Sequence, residues 1–298
     1  MHSPREGARR MSTGGPLPGP AQDAHWLQCL LDDEARLVAV PAGPLALALL
    51  DNLSSPDPHL RDTLSLTLLD RLIECARLGP AERECLLAAA IDERHLFWAL
   101  GQAGDDSVFS RTFSVLVVGA LIEHDREDPQ LAPAAVESAA AAVQAYARRE
   151  RDWRGYIAGK GWAHAVAHTA DALGSLAAHP AVPAPGALRL LQCLADLARV
   201  PFALGFLEDD RLALAAWRIM RLGKVPNRTL SDWLAGFDIP PEATDVEAGT
   251  LMSSNQEHFL RSLYFRWVRA DASSLWLEAI LAAIDRFDRY GAAALPAE

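Results

Sequence analysis

Apolar residues recur along the chain at spacings of three and four almost throughout, and stretches of alternating, β-branched character are scarce. That is the period of amphipathic helices, so the pattern predicts an all-α protein. Helices are expected at about 23–38, 44–53, 58–78, 80–90, 92–102, 106–124, 129–150, 161–179, 186–200, 208–222, 229–236, 255–269 and 273–290, with ends uncertain by a few residues. Turn chemistry supports the division. Asp57-Pro58 and Asp128-Pro129 each offer a capping carboxylate followed by a proline suited to a first helical position, and Gly79-Pro80 ends one helix and opens the next.

So many short-linked helices predict antiparallel helical hairpins stacked side by side, either as a divergent HEAT-like array or as an irregular helical bundle. Leu53-Ser-Ser-Pro-Asp-Pro-His-Leu-Arg-Asp62 has the look of a repeat start, a turn followed by an Arg and an Asp on the opening helix, but no clean period runs through the chain. Residues 1–22, with Arg5, Arg9 and Arg10 among Gly, Ser and Pro, are expected to form a disordered arm, with Met11 an alternative start. Residues 23–236 form the helical array, 237–254 a loop rich in Pro, Glu, Thr, Asp and Gly, and 255–298 a C-terminal helical pair packed on the array. The Ala-rich stretch Pro133 to Ala147 reads as a helix that permits close packing.

Charge narrows the partners. A formal net charge of −11 lacks the basic footprint that the nucleic acid backbone demands. Cys29, Cys75, Cys85 and Cys193 stand apart in apolar surroundings without a C-x-x-C pair, and are expected to be reduced thiols. Apolar runs such as Val115 to Ile122 are shorter than the ~20 residues of a membrane span. The expectation is a cytoplasmic protein with no nucleic-acid or membrane partner.

Candidate chemistry concentrates between Arg154 and Asp171. On one helix advancing ~100° per residue, His168 falls about 40° from His164, Asp171 about −20° and Ser175 about 20°, so all four share an edge. Trp162, Val166, Leu173 and Leu176 fall on the opposite, core-facing side, and Ala163, Ala165, Ala167, Ala170 and Ala172 let neighbouring helices approach. Two histidines at i and i+4 suit a metal ion or proton transfer near neutral pH, with Asp171 fixing a tautomer. The same stripe also suits a purely structural network. A zinc-peptidase H-E-x-x-H is absent because Ala165 follows the first histidine. Upstream, Glu150, Asp152 and Arg154 lead into Gly155, Gly159 and Gly161 around Lys160, where Lys160 and Arg154 are placed to hold an anion near His164. In the segment from Asp105 to Leu116, Asp106 is an expected N-cap, and Arg111 is expected to reach Asp152 or Asp171 as a bidentate pair. The charged start Asp209-Asp-Arg-Leu212 reads as helix capping.

Three segments carry a resemblance. Ser55-Pro-Asp-Pro-His-Leu-Arg-Asp62, Asp106-Ser-Val-Phe-Ser-Arg-Thr-Phe-Ser114, and Arg154-Gly-Tyr with Lys160-Gly-Trp-Ala-His-Ala-Val-Ala-His168 and Ala170-Asp171 resemble the bacterial family called domain of unknown function 2785. The resemblance covers about residues 25 to 222. Departures at Thr112, where the family usually has Ser, and at Trp153, where it has an aliphatic residue, leave the polar positions intact. The resemblance implies a helical domain with a shared feature at Arg111, Arg154, Lys160, Trp162, His164, His168 and Asp171, and it implies no activity.

Two readings follow. In the first, His164, His168 and Asp171 carry acid–base or metal-assisted chemistry on a small anionic ligand, held by Arg154, Lys160 and Trp162 with Arg111, Glu150 and Asp152 behind them. In the second, the motif is structural and the stacked hairpins bind a protein partner, with Trp217, Trp233, Phe237, Tyr264, Phe265 and Trp267 as candidate contact residues. The sequence names no cofactor and leaves open whether the protein is an enzyme.

Overall fold

The computed structural model describes residues 21–238 and 245–288, and the expected N-terminal arm falls almost wholly outside them. Helix dominates: α1 (Ala24–Asp32), α2 (Glu34–Ala39), α3 (Ala42–Asn52), a π-helical segment His59–Leu66 running into α4 (Thr67–Glu74), α5 (Pro80–Ala90), α6 (Ser107–Glu127) and α7 (Pro133–Arg149). A two-stranded hairpin of β1 (Tyr156–Ile157) and β2 (Gly161–Trp162) precedes α8 (Ala165–Ala178), α9 (Ala184–Leu197), α10 (Glu208–Arg221), α11 (Asn227–Ala235), α12 (Val246–Ala270) and α13 (Trp276–Ile284). The protein is all-α apart from that hairpin.

Local chemistry explains most boundaries and several departures from the sequence pattern. Asp33 breaks the first expected helix, because its carboxylate accepts from the N–H groups of Ala35 and Arg36 and caps α2. At Gly79-Pro80, Glu82 reaches back to the Gly79 N–H, and its other oxygen accepts from Gly43, tying α5 to α3. Asp57 accepts from His59 N–H as expected. Asp128 does not cap α7: it ends α6, and α7 opens at Pro133. The helix expected over 92–102 is a run of turns, in which His95 is held between Asp92 and Asp51. The helix expected from 255 begins at Val246, where Asp245 caps it, so the second half of the expected 237–254 loop is helical.

The helices alternate between two layers. α4, α6, α8, α10 and α12 lie side by side in one, α3, α5, α7 and α9 in the other, and from α5 to α10 successive helices pack across the interface. α8 is the central element, wedged between α6 and α10, with twelve of its fourteen residues buried. Close approach requires small residues there. A Cβ on Gly119 of α6 would lie 3.2 Å from the Ala172 backbone, and one on Gly174 would lie 3.3 Å from the Ala215 methyl of α10. α6 is long and apolar enough to cross a membrane, contrary to the expectation from its short apolar runs, but 72% of its apolar window is buried as a core helix. No other helix among the described residues meets that length and composition.

Gly119→Val forces branched carbons into the α6–α8 contact and is expected to cost about 1–3 kcal/mol of unfolding free energy. Ala134→Val, on the exposed side of α7, is expected to cost less than about 1 kcal/mol in the same urea denaturation experiment.

Candidate functional site

The segment from Gly161 to Asp171 is not one helix. Gly159 (φ +76°) and Gly161 (φ +83°) adopt backbone angles that turn the chain into the β-hairpin, and Tyr156 pairs with Trp162 across it. The Gly155 carbonyl accepts from both Ala163 and His164 N–H. His164, at φ +50°, occupies the left-handed region and delivers the chain into α8 at Ala165. Consequently Trp162 is not a core residue. It is 40% exposed, while Val166, Leu173 and Leu176 are buried as expected.

The two imidazoles still meet. Their ring centroids are 5.5 Å apart, and the His164 ring stacks flat on the Trp162 indole at 4.2 Å. His168 Nδ1 lies 3.2 Å from the Thr112 carbonyl oxygen, so this nitrogen carries the proton and donates. The tautomer-fixing role expected of Asp171 therefore falls to a backbone group, indifferent to whether residue 112 is Ser or Thr. Burial pushes the His168 pKa down to about 3, helped by the neighbouring His164 and Arg211. Burial first, and Arg211 second, also lowers that of His164, whose Nδ1 is buried without a partner among the described residues. Both rings are neutral near pH 7.

Every cation of the motif has its own carboxylate. Arg111, fully buried, donates from Nε and Nη2 to Glu150 at 2.6 and 3.1 Å and spends its remaining N–H groups on Ser107 and the carbonyls of Trp98, Ala99 and Gln102. Its expected partners are engaged elsewhere. Asp152 takes a bidentate contact from Arg154 at 2.7 and 2.6 Å and the Gly104 N–H, whereas Asp171 is held by Arg211 of α10. Lys160 Nζ lies 2.6 and 2.7 Å from the two oxygens of Asp106, which does not cap α6; Asp105 accepts from Ser107 N–H instead. Glu150 also accepts from the N–H groups of Arg151 and Asp152, fixing the chain as it leaves α7.

Three further residues escaped the sequence reading. Arg61, with no exposed surface, donates to both Asp62 oxygens, to the Ser55 carbonyl and, at 2.7 Å, to the Lys160 carbonyl, and lies 4.0 Å over the Phe109 ring. It sits in the π-helical segment and ties it to the hairpin turn. Phe206 packs edge-on against Trp162 at 5.3 Å, and Glu208, whose pKa burial raises, accepts from Phe206 N–H. Only Arg61 left a sequence signal, in the Pro-His-Leu-Arg-Asp run. The expected capping role of Asp209-Asp-Arg is likewise replaced by contacts: Asp209 accepts from Ser262, Asp210 from Arg266, and Arg211 donates to Asp171.

The arrangement offers no ready metal set. Among the described residues no three His, Cys, Asp or Glu side chains are placed to hold a metal ion, and at this site Asp171 turns to Arg211. Two cavities, about 550 and 290 Å³, flank Trp217 on α10, and neither is lined by His164, His168, Arg154 or Lys160. The expected aromatic contact face also dissolves: Trp233, Phe237 and Trp267 are core residues, and Phe265 is the one largely exposed member at 60%.

Fold and site together define a helical protein whose central helix and hairpin are fastened by ion pairs, with the Arg111–Glu150 pair buried behind them. Residues 96–265 match the family described as protein of unknown function (DUF2785), more than half of the chain, and the chain belongs to that family. The match starts later than the resemblance in the sequence suggests and runs on into α12. No curated protein and no solved structure matches the chain.

Arg111→Met leaves the Glu150 charge buried alone and is expected to cost about 3–5 kcal/mol, most of it restored when Glu150→Gln is added, as read by urea denaturation. His168 has a lower pKa folded than its ordinary 6.5, so below that pH the unfolded chain binds a proton that the folded chain refuses. Its contribution therefore lowers stability as pH falls from about 6.5 towards 3, by up to about 1.4 kcal/mol per unit, and His168→Gln is expected to flatten that part of the profile.

Proposed function

We propose that the protein is a helical interaction module whose ion-paired motif is structural, and that the face of the hairpin binds a protein partner through an apolar or aromatic anchor. One observation carries this reading: the motif's cations are spent on internal carboxylates, while its aromatic residues stand at the surface in contact with one another. Tyr156, Trp162 and Phe206 are 49%, 40% and 45% exposed, and their rings meet edge to face at 4.9 and 5.3 Å. Leu207 beside them is 73% exposed and held at φ +64°, a left-handed conformation that costs a leucine about 1–3 kcal/mol. Exposed rings on a rigid scaffold are the usual anchors of protein contacts. The alternating two-layer order of the helices supports a divergent HEAT-like repeat array as the scaffold, and four unpaired cysteines support a reducing, cytoplasmic setting.

A second reading has a specific observation behind it. The stacking of His164 on Trp162 and its lowered pKa suit proton transfer to or from a ligand seated beside that indole, with His168 alongside. In this reading the ligand is neutral, because Arg154 and Lys160 are committed to Asp152 and Asp106.

Peptides selected by display on the immobilised full chain test the first reading. The expected result is a shared apolar or aromatic anchor and binding about ten-fold weaker or worse to Trp162→Ala, with the thermal midpoint of the variant unchanged. Peptides that bind Trp162→Ala as tightly as the wild type overturn it. For the second reading, an NMR titration of the His164 ring is expected to show a midpoint below 6.5, and a ring that titrates at or above that value removes it.

A further inference from the structure

The cavity of about 550 Å³ between α10 and α12 lies away from the hairpin and belongs to neither reading above. Its α12 wall is one helical face. His258, Arg261, Ser262, Phe265, Arg266 and Arg269 follow one another at steps of three, one, three, one and three, so all six side chains line the same opening. Trp217 of α10 forms the opposite wall. The volume lies within the range of small-molecule sites.

Two residues that line this space each carry a buried donor without an acceptor among the described residues. One is Nε of Arg266, whose Nη2 is already committed to Asp210; the other is Nε1 of Trp217. Both nitrogens are shielded from solvent, so the donors that a ligand meets here are the accessible guanidinium N–H groups of Arg261, Arg266 and Arg269. The cations point the same way. Arg269 has no carboxylate partner among the described residues, and Arg261 holds only the exposed Glu257 contact on its own helix, which water and a competing anion readily replace. The two carboxylates in the wall are engaged, Asp210 by Arg266 and Asp209 by the Ser262 hydroxyl.

The smaller cavity on the other side of Trp217 adds three arginines, Arg126, Arg218 and Arg221, against one carboxylate, Glu123. The guanidinium of Arg221 lies 4.5 Å from the Trp217 ring centre. A concentration of positive charge in a chain of net charge −11 makes this side of the fold attractive to anions. Phe265, 60% exposed at the cavity wall, supplies a flat apolar surface beside the cations.

We propose that this cavity binds a phosphorylated small molecule with a planar ring, the phosphate taken by the guanidinium groups of Arg261, Arg266 and Arg269, and the ring resting on Phe265. The guanidinium fork suits phosphate oxygens in particular. The anion site thus lies on α12, not at Lys160 and Arg154, whose charges are neutralised within the fold.

Titration calorimetry on the full chain at low ionic strength, with adenosine monophosphate, adenosine and inorganic phosphate as probes, tests the assignment. The monophosphate is expected to bind most tightly, phosphate more weakly and adenosine least, with affinity for the monophosphate falling as salt is raised. Arg269→Ala and Phe265→Ala, both at exposed positions, are expected to weaken monophosphate binding about ten-fold while keeping the wild-type thermal midpoint. Arg266→Gln, which removes a lining cation, is expected to weaken phosphate and monophosphate alike. No binding of either phosphate probe overturns the proposal, as does binding unchanged by Arg269→Ala or binding abolished instead by Lys160→Ala.

Discussion

The fold around α8 depends on neutralising charge where water is excluded. Arg61 and Arg111 have no exposed surface, and a guanidinium cannot shed its proton to escape the desolvation cost. Each finds a carboxylate, Arg61 in the adjacent Asp62 and Arg111 in Glu150, and each ties together elements distant in sequence. Arg61 joins the π-helical segment to the hairpin turn, Arg111 joins α6 to the end of α7, and Lys160 returns the hairpin to the start of α6. Removing Arg111 leaves the Glu150 charge buried alone, whereas Asp62 and Asp106 keep contact with water.

These ties explain why a motif rich in histidine, lysine and arginine need not be a reactive centre. The hairpin is held by Arg154 and Lys160, the central helix by Arg211 on Asp171, and the His168 imidazole by a carbonyl of α6. What remains at the surface is aromatic: Trp162 with Tyr156, Phe206 and the flat face of His164. Rigid backing and an exposed apolar face are the conditions under which a small patch binds a partner without losing entropy in ordering itself.

Helical class, the order of the helices and the small-residue flanks of α8 were legible in the sequence, because three- and four-residue spacing and Gly or Pro punctuation are local signals. The hairpin was not. Two positive-φ glycines and a left-handed histidine interrupt a pattern that reads as continuous helix, and a wheel drawn through them places Trp162 on the wrong side. The motif residues were correctly grouped, but most of their pairings follow from contacts across 39 or more positions, such as Arg111 with Glu150 and Arg211 with Asp171. Periodicity carries no information about which of several nearby carboxylates an arginine will meet. Nor could it show that the aromatic residues of α11 and α12 are mostly core while Phe206, in an irregular stretch, is exposed.

The saturation of the motif's cations is read most directly from the Nε–H resonances of Arg61, Arg111 and Arg154 in nitrogen-15 labelled protein. Slow exchange with water for the two fully buried side chains, and no shift in any of the three on adding inorganic phosphate, is the expected result. Rapid exchange of Arg61 or Arg111, or a saturable phosphate-induced shift at Arg154, would contradict it.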